Sequence, residues 1–150
     1  MIETHNMAGH LVRRLHQISV AVFADHMAAL GAELTPVQFA ALSALYANPG
    51  IDPASLASII AYNKATLGGV IDRLETKGLI ARRISETDRR ARVLSLTQTG
   101  QTLFETVEPE VKDLQTDILS GLDASETQTL LALLKKTTDA GNDKSRAPLR

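Results

Sequence analysis

The feature that most restricts the fold is the run Asn63-Lys64-Ala65-Thr66-Leu67-Gly68-Gly69-Val70-Ile71-Asp72-Arg73-Leu74-Glu75-Thr76-Lys77-Gly78. Leu67, Val70, Ile71 and Leu74 recur at i, i+3, i+4 and i+7, which predicts one apolar stripe on a helix of about four turns. Asn63 suits the N-cap and Gly78 the left-handed position just past the C-terminus. The opposite face carries Ala65, Gly68, Gly69, Asp72 and Thr76, flanked by Thr66 and Arg73. Two adjacent glycines inside a helix each cost roughly 1 kcal/mol relative to alanine. A face stripped of side chains lets another surface reach the backbone closely. That surface is either a neighbouring helix or the groove of a nucleic acid.

The flanking segments favour the groove. Upstream, Leu34-Thr35-Pro36-Val37-Gln38-Phe39 combines a capping box, proline at the first helical position and a hydrophobic staple. That helix is expected to run to Asn48-Pro49-Gly50, and Asp52-Pro53 starts a short third helix. Two short helices joined through Ala61-Tyr62, the second with a sparse outer face, predict a helix-turn-helix. Downstream, the apolar ends Leu79-Ile80 and Val93-Leu94-Ser95-Leu96 enclose a charged middle, the pattern of a β-hairpin with a basic tip. The expected fold is therefore mainly α with a small β-hairpin wing. A winged helix-turn-helix lobe occupies about 35–97. Helical regions at about 7–32 and 98–140 carry more apolar surface than such a lobe can cover, which predicts dimerisation. The polar stretch 141–150, with Pro148, is expected to be a frayed tail.

Charge distribution supports the same reading. The chain is close to neutral at −1, yet residues 64–92 hold eight basic and four acidic side chains. There is no cysteine, which excludes disulfides, thiolate catalysis and Cys-ligated zinc. No signal-peptide pattern and no apolar run of membrane-spanning length is present, so a soluble, cytoplasmic protein without membrane contact is expected. Lys64, Thr66, Arg73 and Lys77 are candidates for phosphate contact, while Ala65, Gly68 and Gly69 let the helix seat deeply in the major groove. Arg89, Arg90 and Arg92 suit the minor groove and flanking phosphates. Asp72 could accept from cytosine or pair within its helix with Thr76 or Lys64.

The stretch from Asn63 to Ile80, followed by Asp88-Arg89-Arg90 and Leu96-Thr97, resembles the MarR family of bacterial winged-helix transcription factors. The likeness extends over about 7–140. It implies a homodimer with interlocked terminal helices, binding palindromic double-stranded DNA, usually as a repressor, and often released by a small phenolic or aromatic carboxylate. By that resemblance Arg90 is the residue inserted by the wing, and Asp88 pairs with an arginine to orient it. The Gly-Gly-Val-Ile-Asp-Arg version resembles a subgroup controlling aromatic or heteroaromatic catabolism.

The first helix also implies an effector site. His10, Arg14 and His16 cluster on a helix that in this family lines the ligand pocket, where they could hold a carboxylate and donate to a ring substituent. Phe39 and Tyr46 could wall that pocket, or serve only as core. The same basic cluster could instead meet acids such as Glu105 or Asp113 across a dimer. The four histidines lack the spacing of helical metal ligands, so no metal and no cofactor is expected. No phosphate loop or nucleophile elbow is present, which argues against an enzyme. The remaining alternative is a helical protein-interaction module with a basic hairpin and no specific DNA target.

Overall fold

The computed structural model describes residues 2–150. A short 3₁₀ turn, Glu3–Asn6, leads into α1 (Ala8–Leu30), which ends where Gly31 takes the left-handed conformation at φ 68°. Next come α2 (Pro36–Ala47), α3 (Pro53–Ile59), α4 (Lys64–Thr76), β1 (Ile80–Ile84), β2 (Arg92–Leu96), α5 (Gln98–Ile118) and α6 (Ala124–Ala140). The capping chemistry explains these boundaries. Thr35 accepts from the Gln38 amide while the Gln38 side chain accepts from the Thr35 amide, closing the predicted box. Asp52 caps α3 through the Ser55 N–H. The Ser55 hydroxyl and that amide together hold the Asp52 carboxyl below its ordinary range.

The lobe has a closed core. Leu42 and Leu45 of α2, Leu56 of α3, Leu67 and Leu74 of α4 and Leu94 of β2 are all essentially inaccessible to solvent. The hairpin pairs antiparallel with Ile80 opposite Leu96 and Ile84 opposite Arg92. Its base is stitched to the loop after α2, because Leu94 donates to the Ile51 carbonyl (2.8 Å) and accepts from the Gly50 amide (2.9 Å). Phe104, Val107, Val111 and Leu114 then bury one face of α5 against α1 and α2.

The terminal helices differ. Only Phe23 and Met27 of α1 are buried, while Leu11, Val12 and Ile18 stay exposed. No residue of α6 is buried, and Leu131 and Leu133 are more than half exposed. The tail corrects an expectation. Residues 141–150 are not frayed: Asn142–Lys144 forms a 3₁₀ turn, and the Asn142 amide group bonds both the N–H and the carbonyl of Leu149 (2.9 and 3.0 Å). That clasp satisfies backbone groups a polar segment would otherwise leave to water, and Arg150 then donates its N–H to the Ser58 carbonyl of α3 (3.1 Å).

Candidate nucleic-acid interface

The helix α4 is presented by its caps. Asn63 accepts from the Ala65 N–H (2.8 Å) at the N-terminus. At the other end Gly78, at φ 73°, lets Leu79 reach back to the Leu74 carbonyl (3.0 Å) and closes the last turn. The turn before α4 places Ala61 at φ 51°, a left-handed conformation unusual for a residue with a Cβ. Leu67, Val70, Ile71 and Leu74 face the core as their spacing predicted. Lys64, Ala65, Thr66, Gly68, Gly69, Asp72 and Arg73 all face outward. Packing therefore does not explain the glycines within this chain. A Cβ added at Gly68 would meet nothing within 4 Å, and one at Gly69 would meet only the Arg73 guanidinium at 3.8 Å.

Asp72 pairs with neither Thr76 nor Lys64. Its carboxylate binds the guanidinium of Arg82 on β1, which also lies 3.7 Å from Glu75. Arg82 is thus turned toward α4 and ties the recognition helix to the wing. Lys77 is also set apart from the other candidate cations, because its ammonium is bound to the Glu33 carbonyl ahead of α2.

The wing tip is built on two side chains. The Ser85 hydroxyl accepts from the amides of Thr87 and Asp88 (3.3 Å each). The Asp88 carboxylate accepts from the backbone N–H of Arg90 (2.9 Å), and its carbonyl accepts from Ala91 (3.1 Å). This corrects the expected pairing of Asp88 with an arginine side chain: a short carboxylate reaches its own backbone two residues on before it can reach a guanidinium. Asp88 is thus bonded to the main chain of Arg90, not to a guanidinium. Arg89, Arg90 and Arg92 are exposed, and among the described residues their guanidinium groups have no intramolecular partner.

Two further residues shape the site: Gly100, which carried no legible signal, and Thr97, part of the Leu96-Thr97 pattern. Gly100 lies where α5 crosses the end of α4, and a Cβ there would stand 1.9 Å from the Leu79 carbonyl oxygen. Thr97 donates its hydroxyl to the Gly78 carbonyl (2.6 Å) and accepts from the Gly100 amide (3.0 Å), pinning α5 to the recognition helix.

The five candidate effector residues fall into two groups. His10 stacks on His5 (5.0 Å) and is held by Arg13 (3.3 Å), with Arg14 and His16 exposed on the same helix. Phe39 stacks on Phe104 (5.6 Å) and Tyr46 packs on it at a tilt (4.7 Å), and the Tyr46 hydroxyl donates to Glu105 (3.2 Å), which raises its pKa. Among the described residues no hydrogen bond, ion pair or ring contact joins the two groups. The histidine with strong partners is His26, whose ring nitrogens lie 2.6 Å from Glu110 and 2.7 Å from Asp117 on α5. Those hydrogen bonds, Glu110 first, hold its pKa above the ordinary value.

An open-faced recognition helix behind a helix-turn, followed by an arginine-tipped hairpin, defines a winged-helix DNA-binding protein. The MarR family model matches residues 34–91. The chain is 30% identical over 132 residues to the HTH-type transcriptional repressor NicR of Pseudomonas putida, covering 88% of this chain and 82% of NicR. The structure of Bordetella bronchiseptica BpsR, whose DNA binding is regulated by 6-hydroxynicotinic acid, superposes with a TM-score of 0.84 at 30% identity, covering 93% of this chain and 98% of BpsR. A variant of Escherichia coli MarR complexed with operator DNA gives 0.81 at 26% identity, covering 91% and 99%. The chain belongs to the MarR family. It is a DNA-binding transcriptional regulator and not an enzyme. A protein-interaction module without a DNA target does not fit that membership.

Proposed function

We propose that the protein is a cytoplasmic, homodimeric repressor that binds a palindromic operator and is released by a small aromatic or heteroaromatic acid. The observation that carries the DNA reading is the open face of α4 beside unpartnered wing arginines. Ala65, Gly68 and Gly69 admit the major-groove floor to the helix, while Lys64, Thr66 and Arg73 reach the phosphates. Arg90 enters the minor groove, with Arg89 and Arg92 on the flanking backbone. Lys77, tied to Glu33, acts at the margin of this surface.

The apolar residues exposed on α1 and α6 support a dimer built from about 7–32 and 98–140, with 35–97 as the DNA-binding lobe. Such a dimer would place two recognition helices about one duplex turn apart. Regulation of BpsR by 6-hydroxynicotinic acid supports an effector of the same chemical class. Arg14 is the favoured partner for its carboxylate, with His10 and His16 as donors and Phe39 and Tyr46 as apolar wall. The test is binding of the purified protein to the duplex flanking its own gene, with and without a panel of aromatic acids. Salt-dependent binding abolished by one or a few acids is expected. Binding to duplexes of any sequence alike, indifferent to every acid, would overturn the reading.

A further inference from the structure

The tail that was expected to fray docks beside the DNA-facing helix and brings cations with it. Residues 142–150 carry Lys144, Arg146 and Arg150 against the single acid Asp143. Ala147 and Pro148 are half-buried, whereas Lys144, Arg146 and Arg150 are exposed. The docked segment closes a cleft of about 260 Å³ whose lining includes Lys64, Arg146, Arg150, Ser58 and Tyr62, and no Asp or Glu side chain. Three cations from two distant parts of the chain therefore surround one space. Among the described residues neither Lys64 nor Arg146 has a hydrogen-bond or ion-pair partner. Arg150 pairs with Asp143 at 3.2 Å, but both are well exposed and such pairs contribute little.

Position gives this cleft its ligand. In a helix-turn-helix the first helix crosses the phosphate backbone while the second enters the groove by its N-terminal residues. The cleft lies between α3, the first of those helices, and Lys64, the first residue of the second. We propose that the docked tail and Lys64 together form a phosphate-binding cleft that grips the DNA backbone at the N-terminal end of the recognition helix. The tail thereby acts as a second basic contact at the start of α4, whereas the wing strand meets its second half through Arg82 with Asp72 and Glu75. This rests on the DNA-binding reading above.

The test uses the full chain carrying Arg146→Ala with Arg150→Ala, which leaves the Ala147-Pro148 docking intact. The probe is a duplex selected by unaltered protein from a random-sequence pool, with affinity measured across salt concentrations. The double variant should melt as the unaltered protein does, bind roughly tenfold more weakly near physiological salt, and show a slope of log affinity on log salt shallower by about one to two. Arg146→Lys with Arg150→Lys should recover most of the slope, since a phosphate contact needs charge more than a fork. An unchanged slope and affinity would overturn the cleft. Tighter binding by the alanine variant would also overturn it, by showing that the tail covers the DNA face. Unaltered protein that selects no duplex at all would instead sink the DNA reading itself, and this inference with it.

Discussion

The lobe and the terminal helices solve burial in opposite ways. In the lobe, every core leucine from Leu42 to Leu94 finds its neighbours within the chain. In α1 and α6, Leu11, Val12, Ile18, Leu131 and Leu133 face outward, each 44–59% exposed. The exposed apolar residues of the lobe, Tyr46 and Ile84 among them, are scattered, as on any soluble surface. A stripe of them along two helices marks a surface that needs a partner. The reader of DNA is thus a self-sufficient module, whereas the element that would set the spacing of two such readers is left to association.

The strongest test of this contrast charges the arms. Leu131→Asp with Leu133→Asp should convert the proposed dimer to a monomer in sedimentation, with operator affinity falling at least a hundredfold, while the lobe stays folded. A dimer that persists would place the interface elsewhere. Next in size is the seam inside the lobe. Gly100→Ala puts a carbon against the Leu79 carbonyl, a backbone atom that cannot rotate away. It should cost about 3 kcal/mol or more by denaturant unfolding, at the top of the range for overpacking. A smaller loss would mean that α5 can slide on β1.

At the DNA face the effects are moderate. Arg90→Ala should weaken operator binding by roughly 1–3 kcal/mol without changing stability. Equal affinity would remove the wing from the contact. Gly68→Ala separates folding from function: the site is open, so the variant should gain up to about 1 kcal/mol in stability and yet bind the operator less well. Gain in stability with unaltered affinity would show that the DNA never approaches that backbone closely.

Much of this was legible because it is written in local chemistry. The cap Asn63, the box Thr35–Gln38 and the glycines at 31 and 78 act within one turn of chain, so their residues announce them. Features that depend on distant packing were not. Asp72 chose Arg82 ten residues away, across the helix–strand turn, over nearer helical partners. Asp88 chose a backbone amide over a guanidinium, which only the tip conformation decides. Gly100 reads as a poor helix residue until α5 is seen against Leu79. The tail looked disordered by composition because its anchor, Ser58, lies more than eighty residues upstream.

The smallest predicted effect lies outside the lobe, at the joint between α1 and α5. His26 on α1 is bonded through both ring nitrogens to carboxylates of α5, Glu110 and Asp117. An ionised carboxylate only accepts, and a neutral imidazole has a single N–H, so both bonds are satisfied only by the imidazolium. Its pKa is accordingly raised in the folded protein above the ordinary value of about 6.5. A raised pKa means that the folded state holds the proton more tightly. The stabilisation is fully present below the unfolded value and is lost as pH rises through the folded one. The melting temperature of the protein should therefore exceed that of His26→Gln at pH 6, with the gap narrowing toward pH 9. The site is partly exposed, so salt should shrink the gap as well. A gap constant across that range would show that folding does not change the proton affinity of His26, and that the imidazolium adds nothing to the joint between α1 and α5.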